Sequence, residues 1–229
     1  MERRYYEAYD DRYRQIHTQQ LRWFSEEPSP IVWQILSAFS VPKSAAILEI
    51  GCGEGRDAKA LLHAGYHLLA TDISPAAISF CRAEDPFFSE QYRVLDCLSE
   101  SLAEKFDFIY AVSVLHMLVK DVDRDGFYRF IEKHLSQSGI ALICTMGDGS
   151  IERQSDISTA FDLQERIHEK TGKTVQVAGT SCRVVSFVSL HRELRENGFR
   201  ILQEGMTSIE PDFPCMMYAV VTKENKIRA

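Results

Sequence analysis

Three glycines at 51, 53 and 55, a carboxylate just ahead of them at Glu49 and another 17 residues beyond them at Asp72 could together hold a ligand. Glycine has no Cβ, so a loop of Gly51, Cys52, Gly53, Glu54 and Gly55 can turn sharply and let a ligand approach the backbone. An acid at the tip of the next strand, as Asp72 is, stands where it can accept hydrogen bonds from a ribose diol. Glu49 lies between Leu48 and Ile50, where a carboxylate needs a partner to be buried at all. It is expected to accept loop N–H bonds and to bring negative charge to a cationic ligand. A dinucleotide fingerprint would require Gly or Ala at position 56, and the chain has Arg56. These residues describe a nucleoside-binding β-loop-α-β unit without the pyrophosphate signature.

The elements that position this loop follow from the hydrophobic pattern. Residues 46–50 form a short aliphatic run, the mark of a strand buried on both faces. A helix is expected over 57–64, with Ala58, Leu61 and Leu62 inward and Gly65 at its end. The apolar stretch 67–71 leads into Asp72, after which Ser74 reads as an N-cap and Pro75 as the first helical residue. Further strands are expected at 92–95, 106–112, 140–145, 199–206 and 215–222. Helices are expected at 121–137, ended by Gly139, and at 190–197, closed by Gly198. Alternation of this kind implies an α/β fold, a doubly wound and mainly parallel sheet with helices on both faces.

Composition narrows the class. Hydrophobic residues make up 45% of the 229, enough for a sizeable core. A net charge of −7 and a pI near 5.5 give no electrostatic reason to expect nucleic acid as a partner. No apolar run is long enough for a membrane span, and the first residues lack the apolar stretch of a signal peptide. The cysteines at 52, 81, 97, 144, 182 and 215 show no C-x-x-C, so neither disulfides nor a structural metal is expected, and a cytoplasmic location fits.

The pattern E-x-G-x-G-x-G over 49–55 resembles motif I of the class I S-adenosylmethionine-dependent methyltransferases. Its continuation, Gly55-Arg56-Asp57-Ala58 and Asp72-Ile73-Ser74-Pro75-Ala76-Ala77-Ile78, looks like their small-molecule branch, which includes tellurite- and thiopurine-type enzymes. The resemblance covers about 40–146 and 187–222. It implies a seven-stranded Rossmann-like sheet whose last two strands form an antiparallel hairpin. It also implies S-adenosylmethionine as cofactor and S-adenosylhomocysteine as product. Asp72 would bind the ribose hydroxyls, Asp96 and Cys97 the adenine edge, and Ile73 the ring face. The backbone of Gly51, Cys52 and Gly53, with that of Ala111 and Val112, would meet the methionine end. Asp57 is a weaker candidate, because the helix dipole explains an acid in the first turn without a ligand.

The sulfonium is an activated methyl donor, so the chemistry asks mainly for positioning, with in-line displacement by the acceptor. His116 follows the strand 106–112 on the cofactor side; an ordinary imidazole pKa would suit it as a general base, and in the family a histidine here often only closes the cofactor site. No [ND]-P-P-[YFW] follows that strand, which argues against a nucleic-acid acceptor. No metal constellation is evident.

Two segments lie outside the alternating core. One methyltransferase domain, 1–229, is expected, comprising an N-terminal helical lid (1–40), a cofactor-binding core (41–146), a substrate-cap insertion (147–186) and a C-terminal helix and hairpin (187–229). Tyr9, Tyr13 and Trp23 are candidates for the acceptor pocket, although the tyrosines are equally explained as helix-packing residues. The expected partner is a small-molecule acceptor, with neither nucleic acid nor membrane. A non-catalytic S-adenosylmethionine-binding relative stands as the alternative; the acceptor and the oligomeric state stay open.

Overall fold

A computed structural model describes residues 3–24, 26–168 and 170–224. Its sheet contains β1 (Ile47–Ile50), β2 (Leu68–Asp72), β3 (Tyr92–Val94), β4 (Phe106–Val112) and β5 (Leu135–Met146). The insertion then adds four short strands, β6 (Arg153–Gln154), β7 (Leu163–Ile167), β8 (Thr174–Ala178) and β9 (Arg183–Val184). Last come β10 (Phe199–Ile209) and β11 (Phe213–Lys223). The order across the seven-stranded sheet is β10-β11-β5-β4-β1-β2-β3, and only β11 runs antiparallel to its neighbours. The strands β6 and β9 pair with each other, as do β7 and β8, in separate antiparallel ladders.

Helices cover both faces, and the strands show why. In β4, Phe108, Tyr110 and Val112 join the layer formed by α2 (Pro30–Ala38), α3 (Arg56–His63) and α4 (Pro75–Glu84). The alternate residues Ile109 and Ala111 join the layer formed by α5 (Asp121–His134) and α6 (Phe187–Glu196). Both sides of the strand are dry, so its sequence reads as a continuous apolar run. Glu49 follows the same alternation: it lies on the face of Ile47, and its register partner on β4 is Tyr110. The helix α1 (Ala8–His17) lies outside these layers, against β8 and α4.

Several boundaries shift by a few residues, and the end of α5 has a physical reason. Gly139 does not end α5; the helix stops at His134, and Gly139 lies inside β5. The His134 ring fixes that stop, with Nδ1 paired to the Phe130 carbonyl (2.7 Å) and Nε2 accepting from the Leu102 N–H (3.0 Å). A Cβ on Gly139 would stand 3.0 Å from the Asp107 carbonyl oxygen, so glycine lets β5 pass close to the register shift at Phe106/Phe108.

Two glycines outside that region separate backbone strain from crowding. Gly65 has φ +86° with nothing within 4 Å of an added Cβ, whereas Gly51 has φ +74° and an added Cβ would lie 2.3 Å from Val114 Cγ2. Gly65→Ala is expected to cost roughly 1–2 kcal/mol, the penalty of left-handed backbone alone. Gly51→Ala should cost clearly more, and urea unfolding of the two variants provides the comparison.

Candidate functional site

The glycine loop is tied down from beneath by β2. The N–H groups of Gly51 and Cys52 both donate to the Thr71 carbonyl, at 2.7 and 2.9 Å, and the Thr71 hydroxyl donates to the Glu49 carbonyl at 2.7 Å. Asp72 then clamps the loop to the next helix. Its Oδ2 accepts from Gly53 N–H and its Oδ1 from Ser74 N–H, both at 2.8 Å. Each oxygen keeps a further lone pair. Burial pushes the Asp72 pKa up to about 6, against the pull of the Ser74 and Gly53 N–H donors.

Glu49 is the unsatisfied group of the site. It is buried, and its Oε2 has no hydrogen-bond partner; the Tyr110 hydroxyl beside it on β4 is also unpartnered by bonding geometry. Burial, with the nearby Asp57 charge, holds its pKa well above the carboxylate range. Asp57 itself is occupied. It accepts from the Ser29 N–H (2.5 Å) and hydroxyl (2.7 Å), and so anchors the start of α2. Arg56 pairs with Asp212 at 2.8 Å, joining the loop to the turn before β11.

The N-terminal segment roofs the loop. The Ser74 hydroxyl caps α4 by accepting from Ala77 N–H (3.0 Å), and donates in turn to Asp10 on α1 (2.6 Å). A Cβ on Gly53 would fall 2.6 Å from the Tyr13 hydroxyl, which shows how closely α1 covers the loop. Glu54 draws in the chain beyond α1 by accepting from the N–H groups of Trp23 and Phe24. Arg4 donates to Asp96 at 2.5 Å, and Asp96 also caps its own turn through Leu98 N–H and the Ser99 hydroxyl.

Two clefts result. The first is bounded by Glu49, Gly51, Cys52, Gly53, Asp57, Asp72, Ile73, Asp96, Cys97 and Val112, all singled out from the sequence, together with Tyr9 and Tyr13. Ala111 is not among its walls, because its side chain turns into the core of the opposite face; Ser113 and Val114 continue the wall instead. The second cleft is lined by Arg12, Trp23, His116 and residues of the insertion, and it shares Tyr9, Phe24, Met117 and Phe213 with the first. His116 does not have an ordinary imidazole pKa. Burial, with the charges of Arg124 and Arg12, lowers it to about 3, so the ring is neutral and a weak base.

Residues 48–141 match the family described as a methyltransferase domain. The whole fold matches a Burkholderia thailandensis 1,6-didemethyltoxoflavin-N1-methyltransferase with bound 1,6-didemethyltoxoflavin and S-adenosylhomocysteine, at TM-score 0.71 and 18% identity, over 96% of this chain and 89% of that one. This is the S-adenosylmethionine-dependent methyltransferase fold. A methyltransferase from Clostridium acetobutylicum shares it at TM-score 0.64 and 13% identity, over 93% and 96% of the two chains. So does the glycopeptide N-methyltransferase MtfA, solved with S-adenosylmethionine, at TM-score 0.62 and 19% identity over 86% and 95%. A shorter segment is 37% identical over 76 residues to Hemagglutinin 1 of Eikenella corrodens; the match takes in 31% of this chain and 24% of that protein.

Within this methyltransferase fold, sequence reasoning gave no site role to Arg56 and Phe213 in the first cleft or to Arg12 in the second. Arg12 had a faint signal as a cation amid the tyrosines of α1. Phe213 had none, because only the β10–β11 turn brings it to the loop.

The Asp72 shift has a thermodynamic consequence. Its folded pKa lies above its unfolded value, so between about pH 4 and pH 6 the folded state binds more protons, and this group lowers stability as pH rises through that window. Asp72→Asn should flatten the slope, as read from urea unfolding at pH 4.5 and 7. The His116 ring should show no NMR titration above about pH 5.

Proposed function

We propose that this protein is an S-adenosylmethionine-dependent methyltransferase acting on a small molecule. The observation that carries the reading is a pair of adjoining clefts with four lining residues in common. One is built on the glycine loop, Asp72 and Glu49, and the other is built from the insertion; they meet at Tyr9, Phe24, Met117 and Phe213. Two relatives in fold, the 1,6-didemethyltoxoflavin-N1-methyltransferase and the glycopeptide N-methyltransferase MtfA, were solved with S-adenosylhomocysteine, and MtfA also with S-adenosylmethionine.

The residues present suit the cofactor. Glu49 Oε2 is a buried acceptor without a donor, beside the loop where the family places the ammonium group. A cation there would restore the ionised form that burial disfavours. Asp72 keeps lone pairs for two ribose hydroxyls while its other bonds hold Gly53 and Ser74 in place. Cys97 and Ile73 supply apolar walls for an adenine ring, and Asp96 stands at its edge, where the exocyclic amine would compete with Arg4.

S-Adenosylmethionine supplies an activated methyl carbon that an acceptor attacks in line with the departing sulfur. The protein's part is to align the two and to keep water away, which can remove on the order of 7–11 kcal/mol of barrier. Tyr9 and Tyr13 close the roof, with the Tyr9 hydroxyl bonded to the Ser181 carbonyl of the insertion at 2.9 Å. Met117 and Phe213 line both clefts, at the boundary where a methyl group would have to cross. His116, neutral and with an unpartnered Nδ1, serves the acceptor side as a hydrogen-bonding group and not as a strong base. The acceptor therefore gives its proton to solvent, as readily as its own acidity allows. An open second cleft also favours an enzyme over a non-catalytic cofactor binder, in which that space would be filled.

Calorimetric titration with S-adenosylhomocysteine, with NADH as control, tests this reading. Binding of the former alone, weakened at least about tenfold by Asp72→Ala through the loss of charge-assisted hydrogen bonds, is the expected result. Binding of neither ligand by folded protein would remove it.

A further inference from the structure

Arg12 is a buried cation without a counter-ion. Its side chain lies between α1 and the insertion, where Nε and Nη2 donate to the Ala178 carbonyl (3.1 and 2.8 Å) and Nη2 also to that of Gly179 (2.9 Å). The guanidinium carbon sits 4.7 Å from the centre of the Trp23 ring and 5.4 Å from that of Tyr9. Among the described residues no carboxylate pairs with it, and only Nε and Nη2 make hydrogen bonds to the protein. The other deeply placed arginines are different: Arg124 meets Glu193 at 2.7 Å and Arg56 meets Asp212 at 2.8 Å. Desolvating a guanidinium is costly unless an anion or a full set of acceptors compensates it. Three carbonyl bonds and two aromatic faces offset only part of that cost.

A second arginine enters the same cleft. Arg166 on β7 donates to Gln164 Oε1 at 2.8 Å and likewise has no carboxylate partner among the described residues. It is near enough to oppose the Arg12 charge, adding to the effect of burial in lowering the Arg12 pKa. The acids lining the cleft do not neutralise the pair. Asp212 is committed to Arg56, and Glu165 is exposed and accepts from Gln176 at 3.4 Å. Trp23, Phe24 and Phe213 supply aromatic walls beside the two cations.

We infer that the methyl acceptor is an organic acid, an aromatic or similarly apolar small molecule whose carboxylate is held by Arg12 Nη1 and Arg166. This rests on the methyltransferase reading and specifies its acceptor. Arg12 keeps Nη1 free of protein acceptors, and with the Arg166 guanidinium it offers a carboxylate charge-assisted donors from two sides. The arrangement would place the apolar body of the acceptor against Phe24 and Phe213, which line both clefts.

The test titrates benzoate and its neutral isostere benzamide into the protein, with and without saturating S-adenosylhomocysteine, following the Trp23 indole signal by NMR. Benzoate should bind about tenfold or more tightly than benzamide, the value of one charge-assisted pair. Arg12→Gln and Arg166→Gln should each erase most of that preference. Arg166 is exposed on a surface strand, so Arg166→Gln decides the matter even if Arg12→Gln fails to fold, and its melting temperature checks the fold. Equal affinity for the two probes, binding of neither, or an unchanged preference in Arg166→Gln overturns the inference. Failure of S-adenosylhomocysteine to bind removes the methyltransferase reading instead, and is read separately from the benzoate preference.

Discussion

The Asp72 carboxylate is the tie on which the site depends. One oxygen holds the N–H of Gly53 and the other that of Ser74, so one buried side chain sets both the glycine loop and the start of α4. Ser74 passes the constraint outward, because the hydroxyl that caps α4 also donates to Asp10 on α1. Loop, helix cap and roof thus share a chain of hydrogen bonds, and such networks act as a unit. The cost shows in the raised pKa of Asp72, which burial keeps only partly compensated. A ligand offering donors to its free lone pairs would be repaid for that desolvation.

Around this tie the site is arranged as a floor and a roof of different origin. The floor belongs to the parallel sheet, where ligands meet the carboxyl ends of strands. The roof comes from the N-terminal segment and the insertion, held to each other by Arg12 on the carbonyls of β8 and its following turn and by Tyr9 on Ser181. In the closed arrangement Arg4 occupies Asp96 and Glu54 holds the backbone of Trp23 and Phe24. These contacts are polar and join distant segments. The same segment is also packed through apolar side chains, with Tyr5, Tyr6 and Ala8 in the core and the Phe24 ring 5.5 Å from that of Phe213.

Much of this was legible in the residues. The strand-loop-helix over 46–64, the cap at Ser74 and the antiparallel last hairpin each rest on short-range rules or on the family pattern, and β1, α3, α4, β10 and β11 follow them. Gly51, Gly53 and Gly55 all take positive φ, as a sharp loop requires. Gly139 misled because a glycine after an amphipathic helix is a common terminator, whereas here the stop is made by His134 reaching Leu102, 32 residues away in sequence. The ionisation of His116 was not legible, because an imidazole pKa is set by what surrounds it, and Arg124 and Arg12 come from other elements.

The sequence alone determined the sheet, the loop and the acids at the strand tips, because hydrophobic period, glycine conformation and helix capping act over a few residues. Tertiary structure alone decided what those acids can do. Whether Glu49 finds a partner, whether Asp57 is spent on Ser29, and whether Arg12 meets an anion depend on groups from distant segments. Burial and charge are properties of the assembled surroundings, so ionisation and ligand preference emerge only once the roof lies on the floor.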